Sequence, residues 1–263
     1  MVKRHKLATR GFGSECGVPD IPALAAWIAG HRGTTADITT YRLDQSLSPQ
    51  IEAGIITPCA GGKFYADRIL ASLCCVEDRK ANGELHVESA AIIEDAARIV
   101  VGQKGAWCAM PAPHLLKIVD EYYYDESEWS TAICGAYRTI MRSMRDSGIA
   151  GTILICETMN DEELVSLTKQ KVFFFQPEPD RENLARLMTH QRQIAVRKNH
   201  LKTVFSLTDE YPLQKIFIID PDPVSVQLAL SQLDPDQVVA GGYCLKNCSE
   251  YWKPLAENAV YWN

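Results

Sequence analysis

The sequence predicts an α/β protein built on a largely parallel sheet. Three observations predict it. The C-terminal half carries four short apolar runs rich in β-branched and aromatic residues: "GTILICE" (151–157), "KVFFFQ" (171–176), "KIFIID" (215–220) and "DQVVAGG" (236–242). Runs of this length and composition read as strands buried on both faces. Helix-like segments alternate with them, which is the pattern of parallel strands joined by crossovers. The chain has 263 residues, 46% hydrophobic and 23% charged, enough to fill the core of one large domain or two small ones. The first reading is a doubly wound, Rossmann-like sheet with an antiparallel meander in the middle. The alternative is a distorted (β/α)-barrel, because the strand count reaches eight if the N-terminal runs join.

From the N-terminus, "GFGSECG" (11–17) places glycines ahead of a helix, but "HKLATR" before it is not the apolar strand of a dinucleotide fingerprint. It reads as a loop. "PDIPALAAWIAGHRG" (19–33) reads as a helix, "ADITTYRL" (36–43) as a strand, and "AGIITPC" (53–59) as a strand running into a Gly-Gly turn. "KFYADRILASLCCV" reads as the helix that follows. In the middle, "ELHVESAAIIE" (84–94), "ARIVVGQ" (97–103) and "GAWCAMP" (105–111) look like closely spaced strands, with "GQKG" (102–105) as a tight turn. "HLLKIVDEYYY" reads as a short helix. In residues 127–148, Trp129, Ile133, Tyr137, Ile140 and Met144 share one helix face, and Gly148 ends it.

The later helix starts are legible. Asn160 with Glu163 three residues on resembles a capping box. Asp180 caps a long helix expected over "RENLARLMTHQRQIAVRKNHL". Asp222 caps the next, with Pro223 in its first turn. "TVFSL" (203–207) fits a strand or a helix end, and Pro254 interrupts the last helical segment. The change of pattern near residue 148 suggests a mixed part, 1–147, and a regular β/α part, 148–263, as two units or one continuous domain.

A net charge of −6 supplies no field to hold nucleic acid. No apolar run approaches the ~20 residues that span a bilayer, and the basic start lacks an apolar stretch after it. A cytoplasmic protein is expected. The nine cysteines are an odd number without an export signal, so reduced thiols are expected.

Candidate chemistry gathers at four places. In "PCAGGKFYADR", Gly61, Gly62 and Lys63 form a strand-to-helix turn whose backbone N–H groups and ammonium suit an anion. It is not a Walker A loop, and the alternative is a plain tight turn with Lys63 in water. Cys59 beside it is either a reactive thiol or a buried one. The acids Glu157, Glu178, Asp180, Asp220 and Asp222 follow apolar runs, at the strand ends where parallel folds bind ligands. Helix capping explains Asp180 and Asp222. That leaves Glu157 and Asp220 as catalytic acid–base or metal-binding candidates and Glu178 as a ligand contact.

"AGGYCLKNCSEYW" closes the last strand and offers Gly241, Gly242 and Tyr243 as ligand contacts. Cys244 and Cys248 form a C-x-x-x-C that fits a thiolate metal site only weakly, with Cys108 and His114 as conceivable partners. A basic face on the helix expected over 180–200 reads as solvated surface. Tyr124, beside Asp125 and Glu126, reads as exposed.

No motif here is specific enough to name a family. The leading functional expectation is a cytoplasmic enzyme acting on a small anionic metabolite, phosphorylated or carboxylated, with a divalent metal as an open question. The alternatives are a non-catalytic ligand-binding or protein-interaction module, marked by an exposed Tyr124 or Trp252, and a thiolate metal or redox site at Cys244 and Cys248.

Overall fold

The computed structural model describes residues 3–31, 36–168 and 171–262. In chain order the elements are β1 (Arg4–Lys6), β2 (Ala8–Ser14), α1 (Ile21–Gly30), α2 (Ile38–Glu52), β3 (Cys59–Gly61), α3 (Ala66–Ser72), β4 (Leu73–Glu77) and β5 (Lys80–Val87). Next come α4 (Ala90–Gly102), β6 (Trp107–Pro111), β7 (Val119–Asp120), α5 (Glu126–Asp146), β8 (Thr152–Ile155), α6 (Asp161–Leu167) and β9 (Val172–Phe175). The chain continues through α7 (Arg181–His190), β10 (Gln193–Arg197), α8 (Leu201–Phe205), β11 (Lys215–Ile219), α9 (Pro223–Leu230), β12 (Val238–Cys244), α10 (Cys248–Asn258) and β13 (Val260–Trp262).

Two four-stranded parallel sheets form, in the orders β10-β11-β12-β2 and β3-β6-β8-β9. They meet between β2 and β3, where Arg10 bridges Thr57 and the Gly11 N–H donates to the Thr57 carbonyl at 2.9 Å. The strands thus follow one another in sequence order, and the last returns to the first. A doubly wound sheet requires the order to reverse at a switch point, and no such reversal is present, so the Rossmann-like expectation is corrected. The arrangement is not a closed barrel either. No backbone ladder joins β9 to β10 among the described residues. The Gln191 side chain spans that gap, donating to the Phe174 and Gln193 carbonyls and accepting from the Phe174 N–H, each at 3.0 Å.

Alternation along the strands builds two cores. Phe173 and Phe175 point inward with Phe12, Cys59, Ala109, Ile153, Ile155, Phe217, Ile219 and Tyr243. Phe174, Met110, Leu154, Val196 and Ile218 point outward against the helices. A strand buried on both faces loses the apolar–polar alternation, which is why "KVFFFQ" and "KIFIID" are continuous apolar runs. Phe12 sits near the centre of the inner core, its ring centroid 5.1 to 5.4 Å from those of Phe173, Phe175 and Phe217.

Several local expectations are corrected. "ADITTYRL" is helical, not extended: Asp37 and Thr40 form a reciprocal capping box that starts α2. "ARIVVGQ" belongs to α4, whose Ile92, Ala96 and Ile99 form a buried stripe at helical spacing. The antiparallel feature is instead the hairpin of β4 and β5, earlier in the chain. The helix expected from Asp180 stops at His190, and "QIAVR" is the parallel strand β10. "GFGS" lies inside β2 rather than in a loop. "DEYYY" is a turn, with the Asp120 carboxylate accepting the N–H groups of Tyr122, Tyr123 and Tyr124. The caps at Asp180 and Asp222 form as expected, and Asn160 accepts the Glu163 N–H, but Glu163 turns its carboxylate to His114 instead of closing the capping box.

Candidate functional site

The parallel strands deliver their C-terminal ends to one side of the molecule. Glu15 and Cys16 follow β2, Lys63 follows β3, and Glu157 follows β8. Glu178 follows β9, Arg197 ends β10, His200 lies just beyond it, and Asp220 follows β11. Tyr243 and Cys244 end β12, and Cys248 and Tyr251 enter from α10. Hydrogen bonds and ion pairs link these residues in a polar network.

The Gly61–Lys63 turn binds a carboxylate, but an internal one. The Lys63 N–H donates to Glu15 Oε1 at 2.8 Å, and the Tyr243 hydroxyl donates to the same oxygen at 2.5 Å. Lys63 Nζ pairs with Glu157 Oε1 at 2.7 Å, with both side chains substantially exposed. Such an exposed pair contributes about 0–1 kcal/mol and opens at little cost. Its hydrogen bond to Lys63, then the ammonium's charge, holds the Glu157 carboxyl below its usual range. Gly61 has a positive φ of 83°, and a Cβ there would meet the Ala109 carbonyl oxygen at 2.3 Å. The glycine therefore serves the close packing of β3 on β6.

On the opposite side of the network, Arg197 joins two acids. Its Nη1 is 2.6 Å from Asp220 Oδ2 and its Nε is 3.0 Å from Glu178 Oε1. His200 Nε2 is 3.2 Å from the other Glu178 oxygen. The Tyr251 hydroxyl donates to Asp220 and accepts the Tyr243 N–H, the latter at 2.9 Å. Burial, then the neighbouring carboxylates Glu15 and Asp220, pushes both the Tyr243 and Tyr251 phenols up. Asp220 holds a positive φ of 52°, an uncommon backbone conformation for a residue other than glycine.

Gly241 and Gly242 make room for protein rather than ligand. A Cβ at Gly242 would lie 2.5 Å from the Trp252 ring, and one at Gly241 would lie 2.8 Å from Ile219. Trp252, whose exposure would have marked an interaction module, is fully buried. Tyr124 is 83% exposed, as expected, on the loop before α5.

The C-x-x-x-C pair gains a third sulfur. Cys248 Sγ lies 3.1 Å from Cys244 Sγ and 3.5 Å from Cys16 Sγ. Cys248 is the first residue of α10, where the helix dipole favours negative charge. Thiol hydrogen bonds from Cys16, then Cys244, pull the Cys248 thiol down to about 3 against the opposing effect of burial. Cys16 and Cys244 are pushed up as donors to it. One thiolate held by two thiols is the resulting picture. Among the described residues no group of three or more His, Cys, Asp or Glu is arranged to hold a metal ion.

The other cysteine and histidine candidates lie apart. Cys59 and Cys108 are buried, and burial pushes both thiols up. His114, after β6, is engaged by Glu163, which accepts from its backbone N–H at 2.8 Å and contacts Nδ1 at 2.9 Å. Asp222 is a helix cap and pairs with Lys198 at 2.9 Å. A cleft of about 830 Å³ lies between β5 and α5, lined by His86, Tyr122, Tyr123 and Glu128 among others. It contains no member of the charged network, and the network is the better candidate because it gathers acids, bases and a thiolate.

Five members of this network were invisible as site residues in the sequence. Glu15 and Cys16 were hidden by the reading of "GFGSECG" as a loop. Arg197 and His200 were hidden by the reading of β10 as helix. Tyr251 carried no signal, because only folding brings α10 over the end of β11.

No family model matches the chain, and no curated protein matches it in sequence. Solved structures do resemble it. A putative vitamin-B12-independent methionine synthase from Listeria monocytogenes superposes with a TM-score of 0.54 at 14% identity, covering 96% of each chain. A B12-independent methionine synthase from Shewanella sp. W3-18-1, solved in complex with selenomethionine, gives 0.56 at 13% identity over 97% of this chain and 96% of its own. A methyltransferase from Methanosarcina mazei gives 0.57 at 10% identity over 97% and 93%. At these identities the likeness is one of fold: a mixed α/β chain of mostly parallel strands.

Proposed function

We propose that this protein is an enzyme of the group-transfer class acting on a small sulfur-containing amino acid or a close analogue, held at the C-terminal ends of the strands. One observation carries the reading: opposite charges lie paired there, Lys63 with Glu157 and Arg197 with Asp220 and Glu178. A zwitterion exchanges into such pairs without leaving a charge unmatched. Its carboxylate takes the place of an acid on Lys63 or Arg197, and its ammonium takes the acid so released. The carboxylate expected from sequence is kept in this reading, and a phosphorylated substrate is not proposed.

In this assignment Lys63 or Arg197 binds the carboxylate, and Glu157 binds the ammonium or accepts the proton of a thiol. Asp220 orients Arg197, and Tyr251 positions Asp220 through its hydroxyl. The Cys248 thiolate brings a soft anionic sulfur to the same end. The fold likeness to methionine synthases supports the choice of substrate class, and the selenomethionine bound by the Shewanella enzyme is a zwitterion of this kind.

Isothermal titration with L-homocysteine and L-methionine tests the proposal. The wild-type protein is expected to bind at least one of them. Lys63→Ala and Arg197→Ala should each weaken that binding by about tenfold, the weight of one charge-assisted contact. Absence of binding to the wild type, or binding that neither substitution alters, counts against it.

A further inference from the structure

The opposite end of the strands carries a second feature. Arg10, on β2, points into the inner core and is only 7% exposed. Its guanidinium carbon lies 4.0 Å from the Trp107 ring centroid, 4.9 Å from that of Phe217, 5.2 Å from that of Phe12 and 5.3 Å from that of Phe173. Aromatic faces offset part of the cost of burying a cation. They cannot accept its in-plane N–H bonds. The Nε and Nη2 atoms are buried and have no hydrogen-bond partner among the described residues. Burial lowers the guanidinium to about 10, so the group remains charged at neutral pH.

A buried, charged and under-bonded guanidinium is costly. Here it borders a cavity of about 580 Å³ at the N-terminal ends of β9 and β10. Lys171, Arg192 and His190 also line this cavity, and among the described residues no aspartate or glutamate does. Thr168 adds a third buried side-chain atom without a partner among the described residues, its hydroxyl oxygen. The cavity opens where no backbone ladder joins β9 to β10. Among the described residues, positive charge without a carboxylate counter-charge, buried unsatisfied donors and an open cavity come together here.

We infer that this cavity is an oxyanion-binding site, distinct from the network at the C-terminal ends, in which the Arg10 guanidinium at its wall attracts a small ligand bearing a phosphate- or carboxylate-type group. Lys171 and Arg192 supply the surrounding charge. A volume of about 580 Å³ also has room for an organic body attached to the oxyanion.

The test is titration calorimetry of the full chain with inorganic phosphate, with glycerol phosphate and with citrate, at ionic strength held constant with chloride. Saturable binding of at least one probe is expected. The two phosphate probes and citrate distinguish a phosphate from a carboxylate ligand. Arg10→Met keeps the bulk among the aromatic rings and removes the donors. It should abolish binding while the circular dichroism spectrum stays native. Lys171 is exposed, so Lys171→Glu tests the site without disturbing the core, and it should weaken binding at least tenfold. Lys63→Ala, at the other end of the strands, should leave it unchanged. No saturable binding of any probe overturns the inference, as does binding that persists in Lys171→Glu or is lost in Lys63→Ala. None of these results depends on whether a sulfur amino acid binds at the C-terminal ends.

Discussion

Single residues set the character of the proposed site at the C-terminal ends, and Cys248 is the sharpest case. Two neighbouring thiols and the start of α10 favour its thiolate form. A thiolate is the reactive form of cysteine, and a low pKa keeps it so in acid. At pH 5, iodoacetamide is therefore expected to modify the half-buried Cys248 ahead of the exposed Cys75, read by peptide mass spectrometry. Modification of Cys75 first, with Cys248 reacting only in alkali, would remove the thiolate from the account. The individual members Lys63, Glu157, Glu178, Asp220 and Tyr243 were legible because each follows an apolar run. The bonds among them were not, because Glu15, Arg197 and Tyr251 come from segments whose position only the fold supplies. Gly242 shows the opposite limit: a glycine at a strand end looked open to ligand, yet Trp252 from α10 fills the space.

At the scale of elements, local hydrogen bonds outweigh intrinsic preference. β-Branched residues in "DITTY" favour a strand, but the Asp37–Thr40 capping box and the buried Leu43 and Leu47 make α2 a helix. The short connection between α7 and β10 contains neither glycine nor proline, so no sequence signal announced the change from helix to strand. Where a cap was legible, its contribution can be tested. Asp222 accepts the Ser225 N–H at 2.8 Å, and Asp222→Ala is expected to cost about 1 kcal/mol in urea unfolding at pH 7. Lys198, then the Ser225 bonds, lowers the Asp222 carboxyl from 3.8 to about 2. A depressed carboxyl stabilises the fold above its unfolded value and loses that effect as pH falls through its folded value. The difference between wild type and Asp222→Ala should thus be full above pH 4 and shrink toward pH 2. A buried network locks α2, α3 and α4 together: Arg68 bonds Asp95 at 2.7 Å and Asp37 at 2.8 Å, and the Tyr65 hydroxyl donates to Asp95 at 2.9 Å. Asp95→Ala leaves Arg68 without its buried partner and should destabilise the protein by about 3–5 kcal/mol. A loss below 1 kcal/mol in the same unfolding assay would show that the network holds little.

For the whole molecule, the decisive fact is strand order. The apolar runs announced parallel strands, and the count of eight allowed a barrel, but no sequence signal set the order of neighbours. Pairing of β12 with β2 brings the two chain ends together. It places Glu15 beside Tyr243, and Cys16 beside Cys248, across more than 200 residues. Among the described residues no helix is long and apolar enough to cross a membrane. The two ends of the strands then differ in kind: paired charges and a thiolate at the C-terminal ends, an unpaired buried cation at the N-terminal ends. In the proposed function the C-terminal ends of the strands are the place of chemistry. Crystals soaked with L-selenomethionine test it most directly, because selenium is located by its anomalous scattering. The account predicts an ordered selenium peak among Lys63, Glu157, Arg197 and Cys248, with the ligand carboxylate on Lys63 or Arg197. An ordered peak in the cleft between β5 and α5, or no ordered peak at saturating ligand, would contradict it.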